Sequence, residues 1–414
     1  MKLQEIFVLA LLLLCFSSCE KDDKKPEIID LDPKQIELTT KAAEVISGNN
    51  EFGIELYKKT AADENKNLML SPFSARAALT MLLNGCAGNT FVQLQETLKY
   101  EESLEIDYIN EAYKSLAKQL IEADPKVTLA IANAIFYRQG FDVKSDFLDS
   151  MSDVFDANIE ELDFNLPPAL NTINDWASDN TNGKIPEVLD EIDPEHVMFL
   201  MNALYFKGDW SYQFDNSLTE QKPFYLDDGN TVNVSTMHGA VGAKWSYSEN
   251  YSAIELPYGR SNFSMVVILP SGNLNDFINN FTSEQWSKIT NNLDSLEEWG
   301  EIDVFMPKFK FSYEKKLNDQ LESMGMVDAF DENLADLSGI ADTQLPFFVD
   351  FVKQDTFIEV NEEGTEAAAV TTVGLEFTSV NGRKTFTIDK PFIFAIRERT
   401  TNTLMFIGNV VNPE

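Results

Sequence analysis

Histidine and cysteine are scarce in this chain, whose 414 residues include only two of the first and three of the second. A zinc site usually takes about four His or Cys ligands, so a site of that type is not expected. Catalysis by a Ser-His-Asp triad would have to use His196 or His238 as its base. Both are expected to be structural, so the composition argues against an enzyme and predicts neither a catalytic residue nor a cofactor or metal.

Basic residues are also few: 32 Lys and Arg stand against 68 Asp and Glu, which gives a net charge of −36. Such a chain repels a phosphate backbone, and no basic helix of the heparin-binding kind is present. We therefore expect neither nucleic acid nor a heparin-type polyanion as a partner. Apolar residues make up 44%, with 30 Phe, which excludes a disordered chain.

The N-terminus lacks an apolar run long enough to span a bilayer. Its run from Ile6 to Phe16 is about eleven residues, the length of a signal-peptide core. Ser17 and Ser18 then lead into Cys19, which resembles a bacterial lipoprotein box. This predicts a signal peptide over 1–18 and lipid on Cys19, with ordinary signal-peptidase cleavage as the alternative.

The residues after Cys19 predict a surface tether. Glu20-Lys21-Asp22-Asp23 resembles the surface-export signal of Bacteroidetes lipoproteins, which implies a surface-exposed outer-membrane lipoprotein. Residues 19–38 are charged and contain two Pro, so we expect a flexible tether reaching roughly 25 Å. Cys86 is then the only unmodified cysteine, so no internal disulfide can form, and it is expected in the core.

Residues 39–414 show no repeat, linker or composition shift, so we expect one large domain. Ser71-Pro72 should cap and open a buried helix over 73–83. Helical patterns dominate the first half and strands the second, which predicts an α+β fold. The expected strands include 128–137, 197–206, 266–269 and a closing pair at 391–397 and 403–410.

One stretch near the C-terminus carries the functional signal. Residues 357–363 alternate like a strand, and Gly364 and a run of small residues follow. A helix capped by Thr365 is the alternative, but the β-branched residues 370–373 are poor helix formers.

The sequence resembles the serpins in several motifs that occur in the family's order over about residues 40–414. The segment from Glu362 to Val370 resembles the hinge of inhibitory serpins. The other matching motifs are Asn67–Leu83, Ile173–Trp176, Thr181–Ile185, Asn202–Trp210, Lys390–Phe392 and Phe406–Pro413.

The resemblance implies one α+β domain with three β-sheets, about nine helices and an exposed C-terminal reactive loop. A target protease would cut the loop and become acylated, and the loop would insert into the central sheet as a new strand. The implied partner is a serine protease, or a papain-like cysteine protease, and the implied state is a monomer. The residues implied in the mechanism are the hinge Glu362, Glu363, Gly364, Thr365, Glu366, Ala367, Ala368, Ala369 and Val370, the polar cluster Ser71, Ser74, Asn202 and Gln354 under the sheet, and Trp210 where the loop would enter.

The hinge residues suit insertion because alternate residues of a strand face the core. With Thr365 inward, Ala367 and Ala369 are inward as well. Glu366 and Glu376 are expected on the solvent side. Gln354 stands where many animal serpins have a histidine, which puts a pH-sensitive sheet opening in doubt.

Counting from Glu362 by the family's usual spacing gives Thr378–Ser379 as the reactive bond. A shift of one residue puts the cut after Phe377. Thr378 suits elastase-like or subtilisin-like proteases, and Phe377 suits chymotrypsin-like enzymes. The alternative function is a non-inhibitory serpin that acts as a surface carrier or binding lipoprotein.

Overall fold

The computed structural model describes residues 31–62, 64–366 and 384–414. This part of the chain contains nine α-helices, the number expected. They are α1 (Thr40–Ala61), α2 (Pro72–Leu83), α3 (Gly88–Thr97), α4 (Ile106–Ile121), α5 (Ser145–Phe155), α6 (Pro167–Asn180), α7 (Leu274–Asn280), α8 (Ser283–Asp294) and α9 (Asn318–Ser323). Within those described ranges, no helix is long and apolar enough to cross a bilayer.

Fifteen strands accompany these helices in the described residues, and most of them follow α6, so the α+β class is confirmed. They are β1 (Leu68–Leu70), β2 (Val127–Arg138), β3 (Asn158–Leu162), β4 (Met198–Asp209), β5 (Glu220–Tyr225), β6 (Thr231–Tyr247), β7 (Tyr251–Pro257), β8 (Phe263–Pro270), β9 (Gly300–Pro307), β10 (Phe309–Lys316), β11 (Lys353–Val360), β12 (Gly364–Thr365), β13 (Lys384–Thr387), β14 (Phe392–Glu398) and β15 (Thr403–Val410). The strands predicted from apolar runs correspond to β2, β4, β8, β14 and β15.

Six strands form one sheet in the order β10-β11-β12-β4-β2-β3. β2 and β4 make its longest pairing, antiparallel from Val127 opposite Gly208 to Tyr137 opposite Met198. Helix α2 contacts β4 from the main apolar core. Helix α6 contacts β2 and β4 over a smaller, separate apolar cluster that includes Ile173.

The other nine strands form a continuous sheet, ordered β1-β15-β14-β8-β7-β6-β9-β13, with β5 paired to β6. The long strand β6 belongs to two layers. It pairs with β5 and β9 over Thr231–Ala243 and with β7 over Lys244–Tyr247. The three expected sheets are therefore present as layers, but two of them share this strand.

Helix α2 begins and ends as its sequence predicts. The Ser71 side chain accepts a hydrogen bond from the Ser74 N–H at 3.2 Å, and Pro72 occupies the first turn. All residues of α2 except Ala78 are buried, because the helix lies inside the core. Cys86 follows the helix and is buried too, and this burial raises the pKa of its thiol to about 12.

Residues 31–38, the last part of the expected tether, are bound to the body in this structure. The Lys34 N–H donates to Asn262 Oδ1 at 2.9 Å, and Asn262 Nδ2 donates back to the Lys34 carbonyl at 2.8 Å. Ser261 Oγ donates to the Leu31 carbonyl at 3.0 Å. Ile36 is buried, so apolar contact as well as hydrogen bonding holds this segment.

Candidate functional site

The two-residue strand β12 joins the halves of the six-stranded sheet. Thr365 lies opposite Val360 of β11 on one side and opposite Gly208 of β4 on the other, antiparallel to both. β4 and β11 are therefore parallel to each other. Among the described residues no ladder pairing joins β4 directly to β11, so the sheet has a slot that takes a strand antiparallel to both its walls.

Gly364 enters this slot where a side chain would not fit. A Cβ atom there would lie 2.1 Å from the Gly208 carbonyl oxygen and 2.7 Å from Asp209 Cα. Both of these are backbone atoms of β4, which cannot move aside as a side chain could. The glycine thus allows β12 to lie close against β4.

Thr365 is buried, and its hydroxyl is 2.5 Å from the hydroxyl of Tyr258. The Tyr258 ring stacks on Trp210, with centroids 4.4 Å apart and planes at 10°. Trp210 in turn binds the turn before β12, since its Nε1–H donates to the Asn361 carbonyl at 2.9 Å and its backbone N–H to that of Glu363 at 2.8 Å. Trp210 therefore lies where the hinge enters the sheet.

Glu362 fixes the start of the hinge by a buried carboxylate. It accepts hydrogen bonds from Thr219 Oγ1 at 2.6 Å and from Lys308 Nζ at 2.8 Å. Burial alone would raise the pKa of Glu362, but the Lys308 and Thr219 contacts bring it below its ordinary value. The carboxylate is thus held ionised at the base of the hinge.

Glu366 is mostly covered in this structure, and its expected solvent-side position in an inserted strand stays a prediction. Its φ of 56° ends the strand in the left-handed region, and its side chain is only 8% exposed. The carboxylate lies 3.1 Å from Lys184 Nζ and hydrogen-bonds with Tyr205. Burial raises the pKa of Glu366 even though Lys184 opposes the shift.

The polar cluster predicted under the sheet is only partly brought together. Gln354 uses both ends of its amide on Ser71, accepting from its N–H at 2.8 Å and donating to its carbonyl at 2.9 Å. Ser74 joins them through Ser71 Oγ. Asn202 instead donates to Asn133 Oδ1 at 2.7 Å, and its own buried Oδ1 has no hydrogen-bond partner in the described part of the chain.

A small cavity of about 30 Å³ lies beside β12, between the two walls of the slot. Its apolar floor belongs to the core, and its polar rim includes the Glu366 and Lys184 pair. The lining from β4 and β11 includes Leu204, Tyr205, Phe206, Thr356, Phe357 and Ile358. The slot thus continues past the point that β12 has reached.

Both histidines have structural contacts. His196 precedes β4, its Nδ1 accepts from the Asp193 N–H at 3.2 Å, and its Nε2 is 3.0 Å from Asp350 Oδ2. His238 of β6 stacks on Phe305, with ring centroids 4.0 Å apart. No group of three potential His, Cys, Asp or Glu ligands for a metal occurs in the described ranges.

Several predicted residues lie outside the described residues. They are the lipidation site Cys19, the hinge residues Ala367, Ala368, Ala369 and Val370, and Glu376, Phe377, Thr378 and Ser379 around the reactive bond. Sequence reasoning missed Tyr258, Lys184 and Asn133, which come from distant parts of the chain. The local signals for them were the Thr181–Ile185 motif, which contains Lys184, and the Tyr258-Gly259 pair at a turn.

Comparison with known proteins agrees with this geometry. The family model described as Serpin (serine protease inhibitor) matches residues 47–413. A serpin-like protein of Methanosarcina acetivorans is 33% identical over 100% of this chain and 97% of its own length. The human leukocyte elastase inhibitor is 32% identical over 89% of this chain and 99% of its own.

Two solved structures are similar to this chain over most of its length. The thermophilic serpin tengpin in its native state matches with a TM-score of 0.82 and 31% identity, covering 92% of this chain and 96% of that one. Human thyroxine-binding globulin complexed with thyroxine matches with a TM-score of 0.81 and 29% identity, covering 90% and 99%. These likenesses, with the hinge held in its slot, establish that this chain belongs to the serpin family.

Proposed function

We propose that this protein is a suicide-substrate inhibitor of proteases whose cut reactive loop inserts between β4 and β11. The observation that carries the proposal is β12, which already occupies the first position of that slot in the required antiparallel sense. Family membership alone would not decide the matter, since its relatives include both an elastase inhibitor and a thyroxine-binding globulin.

Continuing the β12 register tests whether the loop fits the slot. Each further residue would move one position down both walls, which brings Thr372 opposite Lys353 and Leu375 opposite Met198, where β11 and β4 begin. The ten residues from Glu366 to Leu375 contain no Pro and one Gly, so nothing in them interrupts a ladder. The walls and the loop are thus matched in length.

The inward-facing positions match in chemistry as well. In this register Thr371 would lie between Asn202 of β4 and Gln354 of β11. The buried Asn202 Oδ1, which has no partner in the described residues, would then accept the Thr371 hydroxyl proton. Insertion would therefore satisfy a polar atom that the present state leaves without a hydrogen bond.

The covalent step would follow the ordinary course of proteolysis. The protease nucleophile bonds to the carbonyl carbon of Thr378, the Thr378–Ser379 bond breaks, and the Ser379 amine leaves with the proton that the nucleophile gave up. A new strand of about a dozen residues, at ~1 kcal/mol per hydrogen bond, releases on the order of 10 kcal/mol. Moving a catalytic group by ~1 Å lowers its rate about 10²-fold, so insertion before hydrolysis traps the acyl-enzyme.

The target class is proposed from the loop and the relatives together. Thr378 before the cut suits elastase-like or subtilisin-like serine proteases, and leukocyte elastase inhibitors are among the relatives. A cut after Phe377 would instead suit chymotrypsin-like enzymes. With the cut after Thr378, Phe377 would also fill the apolar pocket of papain-like cysteine proteases.

The proposed location is the outer-membrane surface, through lipid on Cys19. It is supported by the Ser17-Ser18-Cys19 and Glu20-Lys21-Asp22-Asp23 motifs. Radioactive palmitate should label the wild type but not Cys19→Ser, and protease added to whole cells should remove the protein. Labelling of Cys19→Ser would overturn lipidation at this residue.

The inhibitory mechanism is tested with a protease panel and two variants. The chain from residue 20 onward would be mixed with elastase, chymotrypsin, subtilisin, trypsin and papain, and complexes would be detected on SDS gels. Mass analysis of the released peptide fixes the bond, since a start at Ser379 or Thr378 places the cut after Thr378 or Phe377. We expect a covalent complex that Thr365→Arg abolishes and Thr365→Ser retains, because Arg would bury a charge beside Tyr258.

The alternative, a non-inhibitory carrier or binding lipoprotein, gives a different result in the same experiment. Its loop would be cut without a covalent complex from any protease, and the cut chain would show no rise in melting temperature. The likeness to thyroxine-binding globulin is what favours testing it. Irreversible inhibition by Thr365→Arg would show instead that insertion is not the mechanism.

A further inference from the structure

We propose that two lysines control the start of insertion: Lys184 holds Glu366 in the resting position, and Lys207 receives it when the strand extends. Both would be positioning residues, because they act on the hinge and not on the protease. This inference rests on the proposed function, since it concerns how the same loop begins to move.

Glu366 is the first residue that must change for β12 to lengthen. Its backbone N–H donates to the Glu359 carbonyl at 2.8 Å, but its φ of 56° is not that of an extended strand. An inserted residue needs extended backbone, and a residue with a Cβ rarely adopts the left-handed region. Something must therefore hold Glu366 in this conformation.

The side chain of Glu366 supplies that restraint. Its carboxylate, only 8% exposed, pairs with Lys184 Nζ at 3.1 Å and hydrogen-bonds with Tyr205. The Tyr205 hydroxyl also accepts from Asn182 Nδ2 at 3.3 Å. Lys184 is 30% exposed and Glu366 8% exposed, so their attraction is less screened by water than in a fully exposed pair and can bias the backbone of Glu366.

Lys184 is placed to link the hinge with helix α6. It lies on the turn that follows α6, where Thr181 Oγ1 accepts from the Ile185 N–H at 3.0 Å. Its Nζ also lies 4.9 Å from the centre of the Phe357 ring on β11. A displacement of α6, which covers the slot, would thus draw Lys184 away from Glu366.

The extended register offers Glu366 a second lysine. One step beyond Thr365, Glu366 would lie opposite Lys207 of β4 and opposite Glu359 of β11, with the side chain on the outer face. Glu359 is already paired with Lys310 of β10 at 3.0 Å. Across the four strands the neighbouring side chains would then be Lys310, Glu359, Glu366 and Lys207, in that order. Each carboxylate would have one ammonium group beside it.

The carboxylate therefore exchanges one ammonium partner for another, while the backbone leaves the left-handed region. In the resting state Lys207 attracts the Glu366 carboxylate without forming an ion pair, and in the extended strand it would lie directly beside it. Lys184 therefore stabilises mainly the resting state, and Lys207 mainly the inserted one. Two substitutions of the same chemistry are expected to act in opposite directions for this reason. If only the total positive charge near the hinge mattered, Lys184→Met and Lys207→Met would change the rate of insertion in the same direction.

The test measures insertion without a protease, in the full mature chain. Each variant is warmed mildly, and its conversion to a heat-stable monomer is followed by size exclusion and by loss of unfolding at the original melting temperature. We expect Lys184→Met to speed this conversion about tenfold and Lys207→Met to slow it about tenfold, the change from ~1.4 kcal/mol in barrier height. Lys222→Met, on β5 and paired with Glu220, is the matched control and should leave the rate unchanged.

Hydrogen exchange and a double variant distinguish positioning from a structural role. The Glu366 amide should exchange faster in Lys184→Met, and Lys184→Arg should restore slow exchange because it keeps the ion pair. In a Glu366→Gln background, Lys184→Met should have no further effect. The proposal would be overturned if Lys184→Met and Lys207→Met changed the conversion rate equally and in the same direction. It would also be overturned if Lys184→Met kept its full effect on that rate in the Glu366→Gln background.

The outcomes separate this inference from the proposed function. If no variant, and no loop-cleaved wild type, ever becomes heat-stable, loop insertion itself is wrong. If cleaved wild type becomes heat-stable and forms complexes but the lysines have no effect on rate, only the control by Lys184 and Lys207 is wrong.

Discussion

The two sheets of this molecule are joined across their middles in different ways. In the nine-stranded sheet, β14 is hydrogen-bonded along its length to β15 on one side and β8 on the other. Every residue of β14 and β15 is buried. In the six-stranded sheet, β4 and β11 are joined only through the two residues of β12 among the described strands, and β4 keeps several partly exposed residues.

Because of this difference, only the six-stranded sheet is expected to change when the loop inserts. In the nine-stranded sheet both edges of β14 are already paired, so the proposed insertion should leave its packing unchanged. The six-stranded sheet can gain backbone hydrogen bonds that it does not yet have. Substitutions in the first should change stability in all states equally, whereas substitutions around the slot should change the balance between states.

The largest expected effect is the loss of a ring from the nine-stranded sheet. Phe394 of β14 is fully buried and lies 5.4 Å, ring to ring, from Phe309. Phe394→Ala should lower the free energy of unfolding by about 4 kcal/mol in both the intact and the loop-cleaved chain. Phe357→Ala, on β11 and partly exposed, is the control and should cost about 1 kcal/mol.

Urea unfolding of wild type, Phe394→Ala and Phe357→Ala, each intact and loop-cleaved, would measure these values. An equal loss in Phe394→Ala and Phe357→Ala would mean that the sheets do not differ in packing as described.

A buried charge in the same sheet is expected to have the next effect. Arg397 and Glu255 have side chains that are 0% exposed, with Nη2 and Oε1 2.7 Å apart. Arg397→Met would leave the buried Glu255 with only the pairing to Arg399 Nε at 3.1 Å, which should cost about 3 kcal/mol. The double variant with Glu255→Met should recover most of that loss in the same urea measurement, and no recovery would show that packing, not charge, holds this site.

The free energy of unfolding should depend on pH through Asp355, which lies on β11, one wall of the slot. Burial raises the pKa of Asp355 on β11 to about 6, although Lys353 opposes the shift. The folded chain therefore binds this proton more tightly than the unfolded chain. The contribution of Asp355 to stability is full below pH ~4 and is lost as the pH rises through about 6.

Comparison with Asp355→Asn isolates the contribution of Asp355 to the free energy of unfolding. Relative to this variant, the wild type should lose about 2 kcal/mol of unfolding free energy between pH 4 and pH 7. Parallel pH curves for the two proteins would contradict the assignment.

The smallest effect on overall stability should come from Gly364. A Cβ there would meet the backbone of β4, so Gly364→Ala should expel β12 from the slot. The free energy of unfolding should change by less than about 1 kcal/mol, because only two residues leave the sheet. Hydrogen exchange should be faster at Glu366, and Gly272→Ala, where a Cβ meets nothing within 4 Å, should leave it unchanged.

The features that could be predicted from sequence are those set by nearby residues. Ser71 and Pro72 specify the start of α2 within three residues of chain, and apolar runs specify β2 and β4. The hinge could be located because Glu362, Gly364 and Thr365 stand together, and they do lie at the head of the slot.

Features that depend on distant partners could not be predicted. Lys184 lies 182 positions before Glu366, so nothing near Glu366 in the sequence indicates that this lysine pairs with it in the resting state. Nothing near Asn202 indicates that Asn133, and not Gln354, accepts its amide proton. Nothing near Arg397 in β14 indicates that its partner is Glu255, which is far away in the sequence.

The two residues of β12 also have a kinetic consequence. Bringing the ends of a long loop together is the slow, entropically unfavourable event in forming a new strand between two others. In β12 the two ends are already paired with β4 and β11. On the proposed mechanism, only elongation of this short strand remains. A substitution that blocks strand pairing next to Thr365 would prevent all later residues from adding to β12. The same substitution near Leu375 would act after most of the strand has formed, so tolerance to substitution should rise along the loop with distance from Thr365.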